Sequence, residues 1–210
     1  MRRSLFVGSI LGVMLITAGT ARAFDERRSG FILGFGIGPS VTSFTQETRF
    51  SFFTTTIEKI PRESEFGLAT SFKIGAGIGE QVMIYYVNNV SWFSVVDSTV
   101  RTTSNVAVIN DVIIANSVGL VGISYYFEET VPSPYVMGVL GVSVWDAPFE
   151  DGSSALVGFG LGAGVGWEFK PHWSLEAMVN WGKPSDTLPF LGETEINAVS
   201  FVITIAGLAY

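Results

Sequence analysis

The chain has 210 residues and a formal net charge of −7, and hydrophobic residues make up 48% of it. It contains no cysteine, which excludes a disulfide framework, a thiolate metal site, a thiol nucleophile and a lipid-modified amino-terminal cysteine. An acidic chain without a basic cluster is a poor candidate for binding nucleic acid, and the length suits one domain.

The amino-terminal segment has the three parts of a secretory signal peptide. Two arginines precede an apolar run at residues 5–18, and small residues form a cleavage motif at 21–23. We predict cleavage before Phe24, which separates a signal peptide, 1–23, from a single domain, 24–210. The apolar run is shorter than a membrane span of about 20 residues, which disfavours an uncleaved anchor. Cleavage lowers the Lys and Arg count from 12 to 9 against 19 acidic residues, a net charge of −10.

Alternation of apolar residues with small or polar residues predicts eight strands, because successive side chains of a strand point to opposite faces. In chain order the predicted strands are 30–40, 65–76, 81–95, 111–127, 135–145, 155–169, 173–181 and 195–210. Pro39 is expected to stop the first strand, and the third and fifth strands are apolar on both parities, so their faces remain unassigned.

Long connections alternate with short ones along the predicted strands. Residues 41–64 are interpreted as a long loop with a hairpin extension near 50–57, and residues 182–194 as a loop broken by Pro184 and Pro189. Long loops at one rim and short turns at the other are typical of bacterial outer-membrane barrels, whose short turns lie in the periplasm.

Residues 155–181 give the clearest pattern. Apolar side chains occupy every odd position from Ala155 to Phe169, whereas five glycines and Glu168 occupy even positions. Strands of about ten residues with aromatic ends suit a transmembrane barrel, with the apolar face toward lipid and the small polar face toward a lumen. We therefore predict an all-β fold, an eight-stranded antiparallel transmembrane β-barrel with an up-and-down meander; a soluble periplasmic β-sandwich is the alternative.

Three segments, 30–40, 134–145 and 158–181, resemble the broad family of small eight-stranded bacterial outer-membrane β-barrel proteins, which includes the OmpA-type transmembrane domain and OmpW-like proteins. The resemblance implies a Gram-negative outer membrane, contact with its lipid and lipopolysaccharide, and insertion by the barrel-assembly machinery. The carboxy-terminal strand resembles that machinery's recognition signal through Leu208 and Tyr210. Apolar residues of the opposite parity, such as Phe201, leave the orientation of this strand open.

Polar side chains on the inner parity form a predicted lumen network. Its members are Lys73, Glu168, Ser174, Glu176 and Asn180, with Asn116 and Ser124 less securely placed. Because eight strands leave an interior that side chains fill, and because a buried ion needs a partner, we predict that Lys73 pairs with Glu176. The network is interpreted as a plug, with the gate of a narrow pore as the alternative.

Other motifs support weaker interpretations. His172 and Ser174 resemble the H-x-S motif of outer-membrane lipid A deacylases, but Leu175 stands where that family has Asn. The loop acids Asp146, Glu150 and Asp151 could hold a divalent cation, although such acids are more often solvated. The glycines of 158–166 have a spacing of two, which does not form a phosphate-binding loop.

Aromatic residues near predicted strand ends are expected at the lipid–water boundary. They are Tyr125, Tyr126, Phe127, Tyr135, Trp145, Trp167, Phe169, Trp173, Trp181 and Tyr210.

The leading functional prediction is a structural or surface-interaction role, in which a largely filled barrel displays extracellular loops. A narrow channel or small-molecule conduit is the first alternative, and a lipid A-modifying enzyme is the second. No catalytic residue, metal ligand or cofactor is predicted, and nothing in the sequence specifies a ligand or an oligomeric state.

Overall fold

The computed structural model describes residues 28–51, 55–97, 110–150, 153–188 and 192–210. The predicted signal peptide and its cleavage site lie outside these residues. Within them, no helix has the length and apolar character needed to cross a membrane.

The described residues form eight strands that close into one barrel. In chain order they are β1 (Gly30–Ser51), β2 (Thr55–Ile78), β3 (Val82–Asp97), β4 (Asn110–Tyr126), β5 (Ser133–Asp146), β6 (Leu156–Lys170), β7 (Trp173–Leu188) and β8 (Gly192–Ala209). Each strand pairs antiparallel with the next, and β8 closes the barrel on β1. The predicted fold class and meander are confirmed.

The two ends of the barrel differ. The connections β2–β3, β4–β5 and β6–β7 are short, at residues 79–81, 127–132 and 171–172, and the first and last strands also start and finish at this end. We call it the turn end. The opposite end, where the β1–β2, β3–β4, β5–β6 and β7–β8 connections lie, is the loop end.

The outer surface carries an apolar belt. On β1 the outward side chains of Phe31, Leu33, Phe35 and Ile37 are each more than 40% exposed, and outward residues of the other strands continue the belt. Soluble monomers rarely expose contiguous apolar patches beyond a few hundred Å². A closed barrel satisfies its backbone hydrogen bonds internally, so this surface suits the hydrocarbon core of a bilayer.

The first hairpin is longer than predicted. Pro39 does not stop β1, and the described residues of 41–64 are strand and not loop, because β1 and β2 remain paired as far as Ser51 and Thr55 beyond a register shift at Phe44. Pro39 falls in a gap of the β1–β8 ladder between the pairs Ile37–Ile205 and Ser40–Val202. A proline removes one donor but leaves the flanking rungs, which explains why the prediction of a strand end was wrong.

The same correction applies to β7. The predicted loop 182–194 is largely strand, since β7 passes through Pro184 to Leu188 and β8 begins at Gly192. Pro184 remains paired with Gly158 on β6, and the β7–β8 ladder resumes at Ser185. The prediction for Pro189 falls outside the described residues.

The structure assigns the faces that the sequence left open. Odd positions of β3 and β5 point inward, from Met83 to Phe93 and from Tyr135 to Trp145. Even positions of β8 point inward, so Phe201, Ile203 and Ile205 belong to the apolar belt. The ambiguity arose because apolar side chains fill parts of the interior as well as covering the exterior.

Candidate functional site: the barrel interior

At the turn end, a buried arginine closes the interior. The Nε of Arg28, just before β1, donates to Glu168 Oε2 at 2.7 Å, and Nη1 donates to the carbonyl oxygens of Glu128 and Glu80 at 2.7 and 3.2 Å. The guanidinium also lies over the Tyr126 ring, 4.2 Å from its centroid. The hydroxyl of Tyr210 donates to the second oxygen of Glu168. This turn-end cluster ties Arg28, at the start of the described residues, and Tyr210, at their end, to Glu168 on β6.

A second cluster lies deeper along the lumen. Lys73 Nζ donates to Glu176 Oε1, and the Tyr135 hydroxyl donates to the same oxygen at 2.6 Å. Lys73 Nζ lies 5.6 Å from the Tyr85 ring centroid, and the Tyr85 hydroxyl is 2.7 Å from Ser124 Oγ. The central cluster therefore spans the lumen from β2 to β7 and carries one buried ion pair.

Stacked tyrosines join the two clusters. The rings of Tyr126 and Tyr135 lie 4.4 Å apart at an interplanar angle of 27°. Space for these rings comes from glycine: a Cβ at Gly166 would overlap the Tyr135 ring, and one at Gly122 would overlap the Tyr85 ring. Inward glycines thus admit large inward side chains from neighbouring strands.

A layer of small polar side chains lies between the central cluster and the loop end, and we call it the polar layer. Ser200 Oγ lies 2.8 Å from Thr42 Oγ1 and accepts from Asn116 Nδ2 at 2.9 Å. Other buried polar atoms of this layer have no hydrogen-bond partner among the described residues, namely one each on Ser40, Ser71, Asn116, Ser143 and Asn180. A cavity of about 10 Å³ borders Ser71 and Glu176. Polar sites of this kind are satisfied by ordered water.

An aromatic cap closes the interior beyond the polar layer. Phe44, Phe93 and Trp145 form a triangle with ring centroids 4.9 to 5.9 Å apart. Ile114 and Ile196 belong to the same buried cluster. The three rings come from β1, β3 and β5, so no short sequence motif could have revealed them.

Several aromatic predictions need correction. Tyr126, Tyr135, Trp145 and Tyr210 were expected at the lipid–water boundary, but all four are buried inside the barrel. In each case the residue falls on the alternate positions of its strand that face the interior. Proximity to a strand end therefore did not predict which face of the sheet the side chain occupies. Other aromatics do lie outside near the turn end: Tyr125, Phe127, Trp167, Phe169 and Trp173.

The five predicted lumen residues are all at most 5% exposed. Glu168 lies in the turn-end cluster, Lys73 and Glu176 lie in the central cluster, and Asn180 lies in the polar layer. Arg28 was missed because it precedes the first predicted strand and so has no alternation to reveal its direction.

The remaining candidate residues lie at the two rims. His172 occupies the β6–β7 turn with a φ of 69°, its Nδ1 is 3.0 Å from the carbonyl oxygen of Leu208, and its ring packs against Tyr210 at 4.6 Å. Ser174 lies inside the barrel instead. Asp151 is outside the described residues, within which no three His, Cys, Asp or Glu side chains are placed to hold a metal ion.

No family model matches the chain, and no curated protein matches it. Among solved structures, the outer membrane protein OprG from Pseudomonas aeruginosa is similar at 10% identity and a TM-score of 0.50, over 87% of this chain and 97% of that one. Ail, the attachment invasion locus protein of Yersinia pestis, in complex with the heparin analogue sucrose octasulfate, matches at 13% identity and 0.41, over 84% and 99%. Neisserial surface protein A matches at 12% identity and 0.40, over 81% and 97%.

These similarities concern the fold. Together with the closed barrel and its apolar belt, the similarity to OprG shows that the chain has the fold of a small eight-stranded β-barrel of the bacterial outer-membrane type.

Proposed function

We propose that this protein is a plugged outer-membrane barrel with a surface-interaction role. The observation that carries the proposal is the double closure of the lumen, by the ion pair of Lys73 and Glu176 on one side of the polar layer and by the aromatic cap on the other. A solute would have to break both closures. With the lumen filled, the loop end is the part of the protein left for interaction.

The energy of the plug supports this proposal. Breaking a buried ion pair by removing one partner costs roughly 3–5 kcal/mol, because the other charge is left without compensation. Glu176 also accepts a hydrogen bond from Tyr135, so opening the central cluster disrupts more than the ion pair.

The test is ion conductance of the purified, folded barrel in planar bilayers. We expect no unitary current steps from barrels whose insertion is verified by a shift in gel migration between unboiled and boiled samples. Steady, reproducible steps from the native sequence would overturn the plug and make the lumen the functional site.

A narrow channel is the second candidate, and the polar layer favours it. Unpartnered polar atoms on Ser40, Ser71, Ser143 and Asn180 are suited to a hydrated passage between the two closures. If the central cluster is a gate, Glu176→Gln changes conductance. If neither Glu176→Gln nor the double variant Glu176→Gln with Phe44→Ala conducts ions, this candidate is eliminated.

We propose no enzymatic reaction for the chain. His172 is engaged with the carboxy-terminal end of β8, and Ser174 belongs to the interior face. Accordingly, Ser174→Ala should leave the acylation of lipid A unchanged in cells that express the protein. Loss of a released acyl chain in that variant would restore the enzyme hypothesis.

Targeting to the outer membrane through a cleaved signal peptide at 1–23 remains part of the proposal, as does recognition of Leu208 and Tyr210 by the barrel-assembly machinery. In the folded barrel Tyr210 is buried against Glu168 and Leu208 packs against the inner cluster. Recognition of these side chains therefore has to precede closure. Tyr210→Ala should slow assembly in cells, measured by the fraction of heat-modifiable protein.

A further inference from the structure

A groove of about 550 Å³ interrupts the apolar belt at the turn end. Its floor is the end of β8, where the outward residues are Gly207 and Ala209. Aromatic rings flank this floor, because Gly207 pairs with Phe35 of β1 on one side and with Trp173 of β7 on the other. Ile205, the next outward residue of β8, is 54% exposed and restores the height of the belt. The groove is therefore a dip one strand wide between two aromatic walls.

The space above Gly207 is not filled by the protein. A Cβ at this position would meet only the Trp173 ring, at 3.9 Å. The inward glycines differ, since a Cβ at Gly36 would overlap Ser71 and one at Gly166 would overlap Tyr135. Inward glycines thus make room for other side chains of the barrel, whereas Gly207 leaves room on the lipid-facing surface for something outside it.

The β7 wall of the groove is held in place by its own contacts. The backbone N–H of Leu208 donates to the carbonyl oxygen of His172 at 2.9 Å, and His172 Nδ1 lies 3.0 Å from the carbonyl oxygen of Leu208. The His172 ring also packs against Tyr210 at 4.6 Å between centroids. These contacts fix the start of β7, which carries Trp173. A wall ordered before binding reduces the entropy that a ligand has to overcome.

A basic side chain lies at the rim beside this wall. Lys170 pairs with Trp173 in the β6–β7 ladder, and both residues are exposed on the outer surface. Tryptophan at a strand end is typical of the lipid–water boundary, and a lysine there extends its amine toward the headgroups. The rim therefore places a positive charge at the depth of lipid phosphate.

We infer that the groove binds one phospholipid, with part of an acyl chain over Gly207 and the phosphate beside Lys170. The short turns of such barrels lie in the periplasm, so the site belongs to the periplasmic leaflet, which consists of phospholipid. An acyl chain can follow a groove one strand wide, whereas the convex wall of a second barrel cannot enter it. The inference is independent of the proposed surface-interaction role, which concerns the loop end.

Packing and charge, not apolar burial, give this site its selectivity. Hydrocarbon already surrounds the belt, so an acyl chain that enters the groove removes no additional apolar surface from water. Contacts with the rings of Phe35 and Trp173 favour a chain that stays in place. A lysine near the membrane surface favours an anionic over a zwitterionic headgroup by about fivefold. Phosphatidylglycerol should therefore be retained in preference to phosphatidylcholine.

Native mass spectrometry of the full folded barrel tests the site. The barrel is reconstituted with equal amounts of phosphatidylglycerol and phosphatidylcholine that carry the same acyl chains, and is then transferred to a mild detergent. We expect a peak with one retained lipid, in which phosphatidylglycerol exceeds phosphatidylcholine by about fivefold. Lys170→Gln should keep a retained lipid but abolish the preference between the two headgroups.

A pair of glycine variants locates the acyl chain. Gly207→Leu fills the groove with a side chain for which there is room, and should remove the one-lipid peak. Gly138→Leu is the matched control, because Gly138 is an outward residue of β5 where a Cβ would meet only Ile123, at 3.9 Å. It adds the same side chain to the belt away from the groove and should retain lipid like the native sequence. Heat-modifiable gel migration verifies that both variants are folded.

A photoreactive phosphatidylglycerol provides a second measurement on the native sequence, which needs no variant to fold. The lipid carries a diazirine near the ester end of one acyl chain, and labelled peptides are mapped by mass spectrometry. We expect residues 31–36 and 204–210 to be labelled more than the outward residues of β4 and β5.

Four results would overturn the inference. Equal lipid retention in Gly207→Leu and Gly138→Leu would show that the groove holds no lipid. Even labelling around the belt would reduce the lipid to the contact that any barrel makes with its bilayer. A preference for phosphatidylglycerol that survives Lys170→Gln would contradict the placement of the phosphate. A peak of two barrels in place of the one-lipid peak, lost in Gly207→Leu, would make the groove a contact between copies of this chain.

Discussion

The two closures of the lumen are built from opposite chemistry. The turn-end half is closed by charges and tyrosines, with Arg28 on Glu168 and Lys73 on Glu176. The loop-end half is closed by the three rings of the aromatic cap. In the charged half, removal of one partner leaves the other charge buried without compensation, whereas the cap depends on packing alone. A single substitution should therefore cost much stability in the charged closure and less in the aromatic cap.

The largest loss of stability is expected from a substitution that breaks an ion pair in the charged half of the lumen. Glu176→Gln leaves Lys73 buried without its counterion and should lower the free energy of unfolding by roughly 3–5 kcal/mol. Urea unfolding of the barrel in lipid vesicles measures the change. The control is Lys73→Met combined with Glu176→Met, which removes both charges and should recover most of the loss. A double variant as unstable as the single one would contradict this explanation.

A smaller loss of stability is expected in the turn-end cluster, where Glu168 can lose one of its two partners and keep the other. Tyr210→Phe removes the hydroxyl that donates to Glu168 but leaves Arg28 in place. A hydrogen bond to a charged group is worth about 1.5–3 kcal/mol, and the unfolding free energy should fall by that amount. Tyr125→Phe, on the outer surface of β4, is the control. Equal changes in both variants would assign the effect to general tyrosine loss.

The aromatic cap should respond more mildly still. Phe44→Leu keeps most of the apolar volume but loses ring contacts with Phe93 and Trp145, each worth about 0.5–1.5 kcal/mol. We expect a loss of about 1–2 kcal/mol in the same urea assay. A loss as large as that of Glu176→Gln would show that the two halves of the lumen do not differ in the way described.

The smallest expected changes in stability come from two serines of the polar layer, Ser200 and Ser71. Ser200→Ala removes the partner of Asn116 and Thr42 and should cost about 1 kcal/mol. Ser71 Oγ has no partner among the described residues, so Ser71→Ala should change stability by less than about 0.5 kcal/mol. A Ser71 variant that costs more than the Ser200 variant would indicate a tightly held water bridge at Ser71.

Local pattern predicted much of the architecture. The number of strands, their antiparallel order and the outward apolar face of 155–181 follow from a period of two, which each strand carries in its own residues. The predicted strand ends were wrong where they were inferred from a proline alone, without regard to the strands paired on either side. Pro39 and Pro184 interrupt single ladders within continuous strands, since a strand of a closed barrel has a partner on each side.

The sequence by itself determined which side chains share a face of a strand, because alternation is a local property of the backbone. It therefore indicated an inward Lys73, Glu168 and Glu176 and an outward belt. Only the tertiary structure decided which inward residues meet, since that depends on the register between strands far apart in the chain. Register brings Phe44, Phe93 and Trp145 to one level and turns Tyr210 onto Glu168.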